Sequence, residues 1–126
     1  MRILLDSTFL IDHLRSLPAA ATRLAALFAD GDEILVEPVA VCEVRFGVRD
    51  VHMPAFLGLL EPLEVVSAGR ETALLAGHWR MRARAAGHHL GLPDALIAAT
   101  AHALGASVLT RNVRDFALTP VRIETY

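Results

Sequence analysis

Four carboxylates stand where one pocket could collect them: Asp6, Glu43, Asp94 and Asp115. Asp6 ends the apolar run Arg2-Ile3-Leu4-Leu5. Glu43 lies within Val41-Cys42-Glu43-Val44-Arg45-Phe46, an otherwise apolar, helix-like stretch. Asp94 follows Pro93 at a helix start, and Asp115 lies just beyond the strand-like Ser107-Val108-Leu109-Thr110. Clustered carboxylates with no Lys between them make a site for a hard divalent cation such as Mg²⁺ or Mn²⁺. Attack on a phosphodiester calls for such a site. The diester is anionic and repels hydroxide; divalent cations neutralise it, activate a water and stabilise the leaving oxygen. Ser7, Thr110 and Asn112 are small polar side chains placed to orient the waters around such a cation.

Each acid also has a purely structural reading. Asp6-Ser7-Thr8 suits a helix N-cap. Glu43 could be a solvated helical Glu. Asp94 in a first helical turn favours the helix dipole, and Asp115 and Asn112 suit a turn. Four acids at four separate sheet-end positions, with Thr110 and Asn112 beside the last, make coincidence a poor account. Asp12, a turn and a half beyond Asp6, is expected to lie outside the pocket. The other candidate chemistries are weaker. His13, His52, His78, His88, His89 and His102 contain no i,i+4 pair of the kind a helical zinc site wants. Cys42 sits in an apolar stretch, where cysteine is expected in the core. Arg80, Arg82 and Arg84 read either as a solvated helix face or as a strip of phosphate contacts, with Arg80 and Arg84 at i,i+4.

Strand-like and helix-like segments alternate, as in an α/β fold with a mostly parallel sheet of four to five strands. Strands are expected near Arg2–Asp6, Glu33–Glu37, Leu63–Val66, Ala106–Thr110 and Val121–Glu124. Helices are expected from Ser7 to about Ser16, over Ala19–Ala29 with Leu24, Leu27 and Phe28 on one face, from Pro38 to about Arg49, over Pro54–Leu60, from Gly69 to about Ala86, and over Asp94–Leu104. In such a sheet, ligands bind outside the carboxyl ends of the strands, where acids distant in sequence can converge.

The 126 residues suit a single domain, 1–126, with a real core. The apolar fraction is 54%, which a buried parallel sheet and a partner or dimer interface would absorb. No apolar run is long enough for a membrane span. The chain enters a strand at once, without a signal peptide, and its single cysteine excludes a disulfide framework, so a cytoplasmic setting is expected. A net charge of −2 offers no global footprint for nucleic acid. All 12 Lys and Arg residues are Arg, which excludes a catalytic lysine. It therefore argues against a haloacid-dehalogenase-like phosphatase and a phosphorelay receiver; the former also needs an Asp at the position of Thr8.

The motifs Asp6-Ser7-Thr8-Phe9-Leu10-Ile11-Asp12, Glu43-Val44-Arg45-Phe46-Gly47-Val48, Leu92-Pro93-Asp94-Ala95-Leu96-Ile97-Ala98-Ala99 and Leu109-Thr110-Arg111-Asn112-Val113-Arg114-Asp115-Phe116 together resemble the PIN-domain ribonucleases. The resemblance is strongest to the VapC-type toxins of bacterial toxin–antitoxin pairs, and it spans nearly the whole chain. It implies a three-layer α/β/α sandwich around the parallel sheet, and Mg²⁺- or Mn²⁺-dependent endoribonuclease activity. It makes Asp6, Glu43, Asp94 and Asp115 the acidic quartet, supported by Thr110 and Asn112. Thr8 departs from the Asn or Ser often found at its position. The resemblance also implies a VapB-type antitoxin as partner and a homodimer. The alternatives it leaves are an RNA-processing nuclease of the same fold without an antitoxin, and a PIN-like RNA-binding module without catalysis.

Overall fold

The computed structural model describes all 126 residues. Five short strands, β1 (Arg2–Leu5), β2 (Glu33–Val36), β3 (Glu64–Val65), β4 (Ser107–Leu109) and β5 (Ile123–Glu124), form one sheet in the order β3-β2-β1-β4-β5. Every pairing is parallel. Seven helices connect them: α1 (Ser7–Leu14), α2 (Pro18–Ala29), α3 (Pro38–Gly47), α4 (Met53–Leu60), α5 (Arg70–Ala85), α6 (Leu92–Leu104) and the single turn α7 (Val113–Phe116). A 3₁₀ turn at Asp50–His52 leads into α4. No helix is long and apolar enough to cross a membrane.

The sheet and its helices make the α/β/α sandwich that the alternating pattern predicts. Ile3, Leu4 and Leu5 of β1 are fully buried, as are Val108 and Leu109 of β4. A central parallel strand covered on both faces needs such an unbroken apolar run. The helix starts follow the prolines. Pro18, Pro38, Pro54 and Pro93 each stand in the first two positions of a helix, where the missing N–H costs nothing and φ is already set.

Two expectations fail on packing. Phe28 is 45% exposed, and the buried face of α2 is Ala20, Leu24 and Leu27. Those three follow the i, i+4, i+7 helical stripe, which Phe28 leaves by one residue. Cys42 is exposed rather than in the core, because Ala40 and Val44 are the residues that α3 turns inward. The Val113–Phe116 segment, read as a turn, is a helical turn that buries Phe116.

Register decides what the sheet presents at its carboxyl edge. Leu5 is level with Val36 on one side and with Leu109 on the other. The next residues of the three strands, Asp6, Glu37 and Thr110, therefore emerge side by side. The chain leaves β1 for β2 on one flank, while β4 lies on the other, so the topological switch point falls between β1 and β4. Asp6 and Thr110 flank it, and the Asp6 N–H donates to the Leu109 carbonyl at 3.1 Å.

The end of α6 positions β4. Gly105 adopts φ +64°, and the Ala106 N–H reaches back to the Ala101 carbonyl at 2.8 Å, which closes the helix in the left-handed C-cap that glycine favours. Gly105→Ala would meet no steric neighbour, so its cost should be conformational alone. A loss of about 1 kcal/mol is expected, read as a fall of roughly 4 °C in melting temperature, with the site chemistry unchanged.

Candidate active site

Asp6 is the most deeply placed acid, at 1% exposure. It occupies the N-cap position of α1, but its side chain caps nothing. Its oxygens accept hydroxyl bonds instead. Thr110 Oγ1 donates to Oδ2 at 2.7 Å and Thr8 Oγ1 donates to the same oxygen at 2.9 Å, while Ser7 Oγ donates to Oδ1 at 3.4 Å. Each threonine also accepts from the β4–α7 loop: the Arg111 N–H donates to Thr8 Oγ1 at 3.2 Å and the Asn112 N–H to Thr110 Oγ1 at 2.8 Å. The two hydroxyls thus couple the Asp6 carboxylate to the backbone of residues 110–112.

Asn112 completes the frame on the other side. Its Nδ2 donates to Asp94 Oδ2 at 3.1 Å and to Asp115 Oδ2 at 2.9 Å. One amide group so holds together the acid of α6 and the acid of α7. Glu43 comes in from α3. Its Oε1 is buried and has no hydrogen-bond partner.

The nearness of the four acids has an electrostatic consequence. Burial raises the Asp94 carboxyl from an ordinary 3.8 to about 7, with the charges of Asp6, Asp115 and Glu43 adding to the rise. Burial also raises Glu43, reinforced by the charge of Asp6 and opposed by the Ser7 hydroxyl. Each shift has the sign expected of clustered acids that lack a counter-charge.

No three of these groups converge as a ready-made metal cage; the acids are near enough to act on one another's ionisation without closing round an ion. That suits a cation which keeps most of its waters and needs only one or two carboxylates directly. The residues fit such a cation for a second reason. An unpartnered, buried carboxylate oxygen such as Glu43 Oε1 is costly, and a divalent ion or its water would satisfy it.

All four predicted acids and the three predicted polar partners, Ser7, Thr110 and Asn112, come together. Arg80, Arg82 and Arg84 do not join them; they lie on α5, and Arg82 is turned away from the face that Arg80 and Arg84 share. Three further features escape a sequence reading. Thr8 makes two of the bonds that frame Asp6. Glu37, 5% exposed, is a further buried acid at the sheet edge, but its Oε2 accepts the Val39 N–H at 2.7 Å, so it caps α3. Asp12 is 7% exposed and holds Arg111 through two bonds, Nε to Oδ2 at 2.8 Å and Nη2 to Oδ1 at 3.1 Å. The Tyr126 hydroxyl also donates to Asp12 Oδ2, and its ring meets Phe9 edge-on. Asp12 lies outside the pocket as expected, but it is a structural anchor for the loop that carries Thr110 and Asn112.

Known proteins share the family and the fold of this chain. The family described as "PIN domain" matches residues 3–120. Ribonuclease VapC19 of Mycobacterium tuberculosis is 35% identical over 117 residues, which are 93% of this chain and 94% of that protein. Ribonuclease VapC10 of the same organism is 35% identical over 114 residues, 90% of this chain and 85% of the relative. The chain belongs to the PIN-domain family. Its fold also matches VapBC2 from Rickettsia felis bound to promoter DNA, with a TM-score of 0.88 at 20% identity, over 100% of this chain and 99% of that one. A DNA-bound VapBC from Salmonella typhimurium gives a TM-score of 0.85 at 21% identity, over 99% and 98%.

Two predictions follow from the PIN pocket and its frame. Asp94, raised to about 7 in the folded chain, costs stability once ionised; the cost is complete above its folded value and vanishes below the unfolded one. Metal-free protein should therefore gain stability as pH falls from 8 towards 5, and Asp94→Asn should flatten that gain in a thermal melt series. Asp12 has the opposite sign. The Arg111 hydrogen bonds hold its carboxyl below the usual carboxylate range, so its contribution is present above that range and is lost as pH falls through the folded value. Asp12→Asn should cost on the order of 2 kcal/mol near neutral pH, and Tyr126→Phe about 1 kcal/mol, as read by urea denaturation.

Proposed function

We propose that this chain is a metal-dependent endoribonuclease, the toxin of a type II toxin–antitoxin pair, which hydrolyses RNA phosphodiester bonds with Mg²⁺ or Mn²⁺ held by Asp6, Glu43, Asp94 and Asp115. The observation that carries the reading is the approach of four acids, from the residue after β1 and from α3, α6 and α7, near enough that the other three raise the ionisation cost of Asp94, with a buried Glu43 oxygen that no protein group satisfies. The ribonuclease names of its 35%-identical relatives support the substrate class.

When bound, a divalent cation supplies charge neutralisation at the phosphate and a water of lowered pKa. The chain supplies the rest. Asp6 is fixed by the Thr8 and Thr110 hydroxyls, so its free lone pairs keep a constant direction. Asn112 holds Asp94 and Asp115 in a common orientation. Burial and the neighbouring acids raise Asp94 to about 7, so without a counter-charge its carboxyl exchanges a proton readily near neutral pH, and a bound cation would favour its ionised form. Ser7, Thr110 and Asn112 keep polar atoms next to the acids and so orient water there.

The antitoxin reading rests on surface as well as on likeness. A groove of about 510 Å³ between α1, α3 and α4 is lined by Ile11, Leu14, Val44 and Val48 together with Arg15 and Arg49. Phe46, 96% exposed, and Val51 stand on the neighbouring segments. A toxin-antitoxin complex from Klebsiella pneumoniae has the same fold, and an antitoxin segment is the partner proposed for this surface.

Purified chain free of antitoxin should cut single-stranded RNA with Mn²⁺ or Mg²⁺ and not with a chelator present. Millimolar Mn²⁺ should raise its melting temperature, because only the folded chain binds. Asp6→Asn and Asp94→Asn should each lower cleavage by more than about 100-fold, since losses around a metal site that spare its ligands already cost 10–100-fold. Glu71→Gln, at an exposed acid on the first turn of α5, should leave cleavage intact. Cleavage that survives both chelation and Asp6→Asn would sink the reading.

A further inference from the structure

From Thr72 to Pro93 the chain carries no acid; the charged residues there are Arg80, Arg82 and Arg84, with His78, His88 and His89 beside them. The fold gathers part of this stretch. α5 ends at Ala85, and Gly87, at φ +82°, turns the chain so that His88, His89 and Leu90 return along the last turns of the helix. Arg80 Nε donates to the Leu90 carbonyl at 3.0 Å and fixes that return. The result is a cleft of about 210 Å³ lined by Gly77, Arg80, Met81, Arg84, His88 and His89 over the buried Leu90.

No carboxylate lines the cleft. Neither Arg80 nor Arg84 has an ion pair; other arginines, Arg82 among them, share this, but only these two line the cleft with His88 and His89. Two unpaired guanidiniums and two imidazoles around a small polar hollow are an anion site, and the planar fork of Arg suits phosphate. Imidazole rings can also donate to phosphate oxygens or stack on an unpaired base. The cleft is close to the acid pocket. Leu90 precedes Asp94 by four residues, and even a fully extended chain spans no more than about 14 Å over that separation.

We propose that this cleft binds a backbone phosphate of the RNA substrate beside the bond that the acid pocket cleaves. The inference rests on the ribonuclease reading and adds to it the place where the substrate is held. The two sites divide the electrostatic work. The acid pocket repels phosphate until it holds metal, so a metal-independent cationic contact nearby gives the RNA a point of attachment. Arg82 lies outside the cleft and takes no part. An RNA occupant fits better than a protein one because the cleft is small and polar, and the apolar surface that suits a protein partner lies on α1, α3 and α4.

The test uses the full chain with Arg84→Ala, the His88→Ala/His89→Ala pair, and Arg82→Ala as control. Arg80 is spared because it also holds Leu90. Binding of a fluorescent single-stranded RNA is followed by anisotropy across a salt series, beside cleavage kinetics, antitoxin binding and a thermal melt. Arg84→Ala should weaken RNA binding and raise KM by roughly tenfold, with kcat within about twofold, and should lower the slope of log K against log salt by about 0.7, the value for one single-strand phosphate contact. The histidine pair should weaken binding in the same direction, and Arg82→Ala should match the parent chain. Wild-type affinity and salt slope in Arg84→Ala overturn the proposal, as does an equal loss in Arg82→Ala. Lost antitoxin binding with intact RNA affinity also overturns it and makes the cleft a protein contact. A parent chain that binds RNA through Arg84 without cutting it sinks the catalytic reading and leaves the cleft standing.

Discussion

Like charge in a confined space is the constraint around which this molecule is arranged. Asp6, Glu43, Asp94 and Asp115 come from four different elements; the charges of Asp6, Asp115 and Glu43 raise the cost of ionising Asp94, and that of Asp6 raises the cost of ionising Glu43. A fold that brings them together must hold them against that repulsion. It does so with neutral donors rather than with cations. Thr8 and Thr110 hold Asp6, and Asn112 holds Asp94 and Asp115. A lysine or arginine in the pocket would relieve the repulsion and also remove the reason for a cation to bind. Hydroxyls and an amide fix the oxygens while leaving the negative field in place.

That frame depends on the β4–α7 loop, and the loop depends on groups outside the pocket. Arg111 sits between Thr110 and Asn112. Its side chain is held by Asp12 of α1, which in turn accepts from Tyr126, packed edge-on against Phe9. A chain of contacts therefore runs from the end of the sequence through the first helix to the loop that orients three of the four acids. The rigidity of the site comes from this support. The acids themselves would spread apart.

The surface divides its tasks in the same spatial way. The carboxyl edge of the sheet carries the acids, the end of α5 carries unpaired cations beside a small polar hollow, and the groove between α1, α3 and α4 is apolar with basic rims. Opposite charges at neighbouring positions are kept from cancelling because the Arg80 and Arg84 guanidiniums lie on α5 and the acids lie on the strand ends and on α3, α6 and α7. The high apolar fraction is thereby explained in two parts, a sheet buried on both faces and an outer remainder such as Phe46 that suits a partner.

The amino-acid pattern by itself determined the class of the fold, because unbroken apolar blocks such as Ile3-Leu4-Leu5 can be satisfied only by burial on both faces, and because prolines mark four helix starts. It also singled out the four acids as candidates, since caps, dipole partners and turn residues explain them one by one but account poorly for four acids at four sheet-end positions with Thr110 and Asn112 beside the last. What it left undecided was orientation. Helical periodicity puts Phe28 on one face with Leu24 and Leu27, and apolar neighbours put Cys42 in the core, yet the packed structure leaves both exposed. Asp12 resembled a spare acid, and only its partners, 99 and 114 residues away in sequence, make it an anchor. Arg80, Arg82 and Arg84 looked alike until the return of His88–Leu90 along α5 separated two of them from the third. Periodicity and residue type are local quantities, readable in a window of a few residues. Charge repulsion, burial and hydrogen-bond partners depend on which distant segments meet, and the tertiary structure alone decides that.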